Sequence, residues 1–264
     1  MVDQALSDVR ILDLAYDIAG PFCTRLFADY GAEVVKIENP AGGDPVRQKG
    51  RLPNDVPHPE KSGVFLHLNM NKKSITLDLS TLSGQSILKR LVKDTDIVVE
   101  NYPPGSLDSW GLSYNELARI NPRLVATSIT PFGQYGPYRD YKAQELSSRM
   151  LHHGRADKEP LRYAPDIGWF QTGSTAASAT MGALTGSRMY GFGQHAEVSA
   201  MEAVIGKVDI RLLVYECTKQ PGPRERLAMG REDTVRHPLA GPLLRSGSSV
   251  RTSSRPSSFP GSLN

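Results

Sequence analysis

The sequence predicts an α/β fold built on a doubly wound, mostly parallel sheet, and three observations carry that prediction. Residues Val9 to Glu38, VRILDLAYDIAGPFCTRLFADYGAEVVKIE, fit a strand, a tight turn, a helix and a second strand into a short span. Apolar runs of strand type then alternate with stretches of helical period as far as Ile129. Such alternation is the pattern of a parallel sheet with helices on both faces.

Each element has its own local reason. The first apolar run, Ile11 to Ala15, stops at Asp17-Ile18-Ala19-Gly20-Pro21, where the fixed φ of Pro21 suits a first helical turn. Gly31 supplies the C-terminal stop of that helix. Val34, Val35 and Ile37 form a second β-branched run. A parallel return beside the first strand brings the Ala19-Gly20-Pro21 turn to the carboxyl edge of the sheet, where ligands bind in open α/β folds. Asn39 to Glu60 is rich in Pro, Gly and charge and reads as an irregular excursion of the kind that frames a site.

Order resumes near Phe65. Ser74 to Leu79 alternates as a strand, Thr81 to Val92 carries Ile87, Leu88 and Leu91 at helical spacing, and Asp96 to Glu100 is a short buried strand. Ser113 and Glu116 make a capping box for a helix through Ile120, and Leu124 to Ile129 returns as a fifth strand. Further helices are expected at Gln144 to Leu151, at Ile167 to about Leu184 and at Met201 to Tyr215, with a strand candidate at His195 to Ser199. From Thr218 onward Pro, Gly, Arg and Ser dominate without an apolar period. The expected organisation is a large domain over 1–217, followed by the start of a linker and an irregular tail over 218–264.

Composition excludes some classes of function. A hydrophobic content of 39% supports a real core, and a formal charge of +3, from 31 basic against 28 acidic residues, is too even for a nucleic-acid partner. Cys23 and Cys217 stand too far apart in sequence for a metal-ligand spacing or a disulfide framework, which fits a reducing cytoplasmic setting. No run approaches the ~20 apolar residues of a membrane span. The first turn lacks G-x-G-x-x-G and holds Pro21, which argues against a dinucleotide-dependent dehydrogenase.

Several strings, in order and spacing, carry a resemblance. They are LDLAYDIAGP, GAEVVKIENP with the following GGDPVR, LNMNKKSITLDL, DIVVENYPPGSLDSWGLSYNEL, NPRLVATSITPFGQYGP, and the stretch from Asp166 through GQHAEVSAMEAV. Together they run from Val9 to Val204, and the chain resembles the class III coenzyme A transferases of the CaiB/BaiF type. That family includes carnitine, formate and bile-acid CoA transferases and the 2-methylacyl-CoA racemases. The resemblance implies a Rossmann-like large domain, with acyl-CoA and a carboxylic acid as substrates, no tightly bound cofactor and a homodimer in the full-length family. Relatives run further, into a smaller domain that is missing here. The abrupt change of composition near Leu243 suggests a truncated or frameshifted gene model.

By the same resemblance, Asp166 is the nucleophile that attacks the thioester, Glu145 is the acidic residue beside the acyl site and Lys142 is a nearby cation. Read without the family, Asp166 is an ordinary N-cap, and Glu145 with Lys142 an exposed ion pair. Coenzyme A is expected to contact Tyr16, Asp17, Ile18, Ala19, Asn39, Leu77, Asp78, Asn101 and Tyr102, positions at carboxyl ends of predicted strands. Many relatives carry a basic residue where Asn39 and Ser109 stand, which implies a weaker grip on the coenzyme A phosphates. Lys72 and Lys73 read equally as phosphate ligands or as a solvated strand edge. Racemase chemistry needs a histidine acid or base, yet Gln144 stands where it is expected, and His152 and His153 read as a solvated helix end. Two readings of different class remain: a CoA transferase working through Asp166, and a non-catalytic fragment that binds coenzyme A.

Overall fold

In the computed structural model, residues 4–50, 56, 58–142, 166–208 and 215–220 are described. The chain order is β1 (Arg10–Asp13), α1 (Ala19–Asp29), β2 (Glu33–Glu38), α2 (Gly63–Asn69), β3 (Lys72–Thr76), α3 (Leu82–Leu91) and β4 (Ile97–Glu100). It continues with α4 (Ser106–Ser109), α5 (Tyr114–Ile120), β5 (Val125–Thr130), α6 (Ile167–Tyr190), β6 (His195–Ser199) and α7 (Ala200–Val208). The strands form one sheet in the order β3-β2-β1-β4-β5-β6. All its pairings are parallel. The chain winds outward from β1 to β3, then returns to β1's other side with β4. The β1/β4 gap is therefore the topological switch point, where loops leave in opposite directions and open a crevice.

Each face of the sheet has its own apolar layer. Ile11, Val34, Ile97, Val99, Val125 and Val198 pack against Cys23 and Phe27 of α1 and Ala176, Ala183 and Leu184 of α6. Leu12, Val98 and Leu124 pack on the other side with Leu88 of α3 and Leu117 of α5. Helix α6 crosses α1 closely because its buried stripe is small: Gly168, Thr172, Gly173, Ala176 and Thr180. A Cβ on Gly173 would stand 2.5 Å from the Ala19 carbonyl oxygen. Gly20 is equally constrained, since a Cβ there would meet that of Ala15 at 2.1 Å.

The Ser113 cap forms, accepting from the Glu116 N–H, and Gly31 follows α1 at a φ of 99°. The sheet has a sixth strand, His195–Ser199, and α6 runs on past Leu184 to Tyr190. The third strand is Lys72–Thr76 rather than Ser74 to Leu79, because pairing with β2 begins at Val34↔Lys72 and ends at Glu38↔Thr76. Lys72 is neither a solvated edge nor a free phosphate ligand: its ammonium is buried 2.9 Å from Asp13 Oδ2. Lys73 is exposed and pairs with Glu33. The expected helix at Gln144 to Leu151, Glu145, the His152-His153 pair, residues 209–214 of the last helix and the tail from 221 lie outside the described residues. Among the described residues no helix is long and apolar enough to cross a membrane.

Candidate active site

The loop after β1 reaches the switch point with its backbone already spoken for. Ala15 N–H donates to Asp13 Oδ1 at 3.1 Å, and the Ala15 carbonyl accepts from the Lys36 ammonium at 2.8 Å. Asn101, just past β4, brackets Tyr16: its Oδ1 accepts the Tyr16 N–H at 2.9 Å and its Nδ2 donates to the Tyr16 carbonyl at 2.6 Å. Asp17 N–H donates to Asp44 Oδ1 at 3.0 Å. With these amides engaged, the loop offers a ligand the Tyr16 ring, the Asp17 carboxylate and the side chains of Ile18 and Ala19. Asp17 itself sits at a φ of 64°, a left-handed conformation that Asp tolerates better than most residues. Its Oδ1 lies 2.6 Å from Lys49 Nζ.

Charge inside the protein holds this loop in place. Lys36, in the otherwise apolar run of β2, is fully buried and pairs with Asp44 at 2.9 Å. Asp13 is fully buried and takes bonds from Thr24 Oγ1 at 2.7 Å and Lys72 Nζ at 2.9 Å. Burial by itself would raise the Asp13 pKa, but the Lys72 and Lys36 ammonium groups outweigh it and hold the carboxyl below its usual range. The same burial pulls Lys72 down to about 8 against the attraction of Asp13. Burial also opposes ionisation of Glu38, yet bonds from Arg47, Ser74 and the Asp44 N–H bring its pKa to about 2.

The crevice has a volume of about 500 Å³. Its walls are Tyr16, Asp17, Ile18, Ala19, Asn101, Tyr102, Pro103 and Pro104 from the β1 and β4 loops, with Ile129, Pro131, Arg139, Asp140, Tyr141, Lys142 and Trp169 opposite. Tyr102 packs edge-on against both Tyr16 and Trp110, with ring centroids 5.6 and 5.2 Å apart, so an aromatic cluster from three segments backs the crevice wall. Burial, with the nearby Tyr16 and Glu100, raises the Tyr102 phenol to about 12 and keeps it protonated.

The expected binding residues Tyr16, Asp17, Ile18, Ala19, Asn101, Tyr102 and Lys142 meet in this one crevice. Asn39, Leu77 and Asp78 do not line it; they lie past the ends of β2 and β3, toward the sheet edge. Asn39 Oδ1 accepts the Ala41 N–H, and Asp78 accepts from the Ser80 N–H and hydroxyl. Asp166 is half-buried and immediately precedes α6, one turn before the crevice residue Trp169. It does not line the crevice itself. Its φ is 68°, in the left-handed region, whereas a capping aspartate usually has an extended backbone. The side chain makes no cap bond to its own helix. The ordinary N-cap geometry is thus not what this residue adopts.

Sequence reasoning missed Trp169, Arg139 and Tyr141 in the crevice, and Lys36 and Asp44 behind it. Lys36 did leave a signal, since a lysine inside VVKIE has no place in a buried strand unless it is paired. The crevice residues after β5 left none, because their approach depends on how the chain folds back. Among the described residues no group of three or more His, Cys, Asp or Glu side chains is placed to hold a metal ion.

An all-parallel sheet with an open crevice at its switch point, and an aspartate opening the long helix beside it, defines a Rossmann-like α/β domain. The sequence profile of CoA-transferase family III matches residues 6–238. The chain belongs to that family. It is 39% identical to a succinyl-CoA–D-citramalate CoA-transferase of Chloroflexus aurantiacus, over 81% of this chain and 54% of that protein. A succinate–glutarate CoA-transferase of Agrobacterium fabrum is 35% identical over 79% of this chain and 55% of its own length. The solved structure of a CAIB/BAIF family protein from Brucella suis superimposes with a TM-score of 0.77 and 31% identity, covering 84% of this chain and 60% of that one. The chain spans about half the length of the curated relatives it matches.

Proposed function

We propose that this chain is the coenzyme A-binding large domain of an acyl-CoA:carboxylate CoA transferase, with Asp166 as nucleophile. The observation that carries this reading is the switch-point crevice, whose walls include Tyr16 to Ala19, Asn101, Tyr102 and Lys142, one helical turn from Asp166. The Asp166 carboxylate attacks the thioester carbonyl, the C–S bond breaks, and coenzyme A leaves as a thiolate with the acyl group held as a mixed anhydride. Return of the thiolate to the aspartyl carbonyl releases the first acid and leaves an aspartyl-CoA thioester. A second carboxylate then takes the coenzyme by the reverse steps. The N–H groups of the first turn of α6 suit the oxyanions formed on the way, and Glu145 acts beside the acyl group. Asn39, Leu77 and Asp78 serve the far end of the coenzyme. The relatives are named as transferases, which favours CoA transfer over racemisation. The same reading makes the enzyme a cytoplasmic homodimer.

A second reading has its own support, the half-length match: a fragment that binds coenzyme A without turnover. Incubating the full chain with succinyl-CoA, trapping with hydroxylamine and mapping peptides by mass separates the two. A hydroxamate at Asp166 supports the transferase. Calorimetric binding of coenzyme A with no adduct supports the fragment. Neither binding nor adduct in a folded sample overturns both.

A further inference from the structure

On the sheet face away from α1 and α6, Glu100, Ser128 and Glu197 stand side by side in register on β4, β5 and β6. A cavity of about 220 Å³ lies over them. Glu100 is buried, and its Oε2 accepts the N–H of Tyr102 at 2.7 Å. Tyr102 is the crevice wall. On its other side Glu100 faces Ser128 across the β4/β5 pairing, and the Ser128 hydroxyl lies 2.8 Å from His195 Nε2. The Tyr114 ring stacks on His195 with centroids 5.2 Å apart, fixing the imidazole plane.

Ser128 owns a single hydroxyl hydrogen between two acceptors. With Glu100 ionised, that hydrogen goes to the carboxylate, and Ser128 Oγ accepts a hydrogen from His195 Nε2. With Glu100 protonated, the carboxyl can donate to Oγ. The Ser128 hydrogen then turns to Nε2, and the imidazole carries its own hydrogen on Nδ1.

We propose that Glu100 is a positioning residue for the crevice wall at Tyr102, and that the Ser128 hydroxyl ties its protonation to the tautomer of His195. The positioning role rests on the coenzyme A reading of the crevice; the tautomer link does not. Burial, reinforced by Asp108 of α4 and opposed by the bonds from Ser128 and Tyr102, raises Glu100 to about 7. The other groups around it are Tyr16 from the β1 loop, Tyr114 of α5, Arg139 after β5, and His195 and Glu197 of β6. Burial also holds the His195 pKa below its ordinary value, against the pull of Glu197 and Asp108, which favours the neutral ring. Raising the pH through this range turns the bond to Tyr102 into a charge-assisted one, roughly twice as strong, and tightens the wall.

The chain's two tryptophans make this testable, since Trp110 packs on Tyr102 and Trp169 lines the crevice. Fluorescence of the unliganded full chain should show a transition near pH 7 that Glu100→Gln abolishes, with circular dichroism confirming that the variant folds. Calorimetry with dephospho-coenzyme A, whose diphosphate does not titrate in this range, should give binding about fivefold tighter at pH ~8 than at pH ~6. In Glu100→Gln that difference should vanish. Ser128→Ala should keep a fluorescence step, moved to higher pH, while ¹⁵N spectra of labelled histidine lose the tautomer change. A fluorescence transition that survives Glu100→Gln, or is absent in the unmodified chain, overturns the inference. So does equal affinity for dephospho-coenzyme A at both pH values, which leaves the coenzyme A reading intact. A fluorescence transition without binding at either pH overturns the coenzyme A reading and the positioning role with it, and supports the link between Glu100 and Tyr102.

Discussion

Asn101→Ala removes the side chain that brackets the Tyr16 peptide. Two hydrogen bonds go, at 2.9 Å to the N–H and 2.6 Å to the carbonyl, in a half-buried setting at the switch point. Each is worth ~1 kcal/mol net, and a stranded donor or acceptor costs more than the mean, so the expected loss is about 2–3 kcal/mol. That is a large part of the ~5–15 kcal/mol that holds a domain together. With an m-value of about 2–3 kcal/mol/M in urea, the unfolding midpoint should fall by roughly 1 M with the slope unchanged. Asn101→Asp should be no better, since it keeps the acceptor for the N–H but sets a second oxygen against the Tyr16 carbonyl. Equilibrium urea denaturation followed by circular dichroism measures both variants. A midpoint for Asn101→Ala within ~0.2 M of the unmodified chain would refute the claim that this bracket organises the loop.

Two further expectations concern packing and pH. Gly173→Ala places a Cβ 2.5 Å from the Ala19 carbonyl oxygen and 3.1 Å from the Phe22 ring, whereas a Cβ at Gly182 on the same helix meets nothing within 4 Å. The first should cost ~1–2 kcal/mol despite a better helix former, and the second should gain about 0.5–1 kcal/mol; similar melting shifts for the two would contradict the close α1/α6 crossing. Glu38 has its pKa lowered from the ordinary 4.5 to about 2, so its contribution is complete above 4.5 and disappears as pH falls from there toward 2. This amounts to about 3 kcal/mol. Glu38→Gln should remove that share of the acid-limb slope in a pH series of urea melts, and an unchanged slope would count against the Arg47 and Ser74 bonds as its cause.

Most of the element order was readable because it rests on local rules. The Ser113 cap, the Gly31 stop and the β-branched runs each act within a few residues, and each appears where the pattern put it. The placing of Tyr16 to Ala19 at a carboxyl edge followed from one parallel crossover, an inference that needs only β1, α1 and β2. Reading failed where a residue's fate depends on a distant partner. Lys72 read equally as a phosphate ligand or an edge lysine, whereas its ammonium is buried against Asp13, far away in the chain.

By itself the sequence determined the family, the alternation of parallel strands with helices, and the placing of Tyr16 to Ala19 at a carboxyl edge, since periodicity, turn chemistry and short strings record such things directly. Only the tertiary structure decided that β1 and β4 part at the switch point, and that Lys36, Asp44 and Asn101 consume the amides of the β1 loop. It alone brought Trp169 and Arg139 to the same crevice as that loop and set Glu100 beside Ser128, whose hydroxyl meets His195. The reason is physical: a buried charge or hydrogen bond is stable only with a partner of matching geometry, and that partner is chosen by the packing of whole layers rather than by neighbours in the chain.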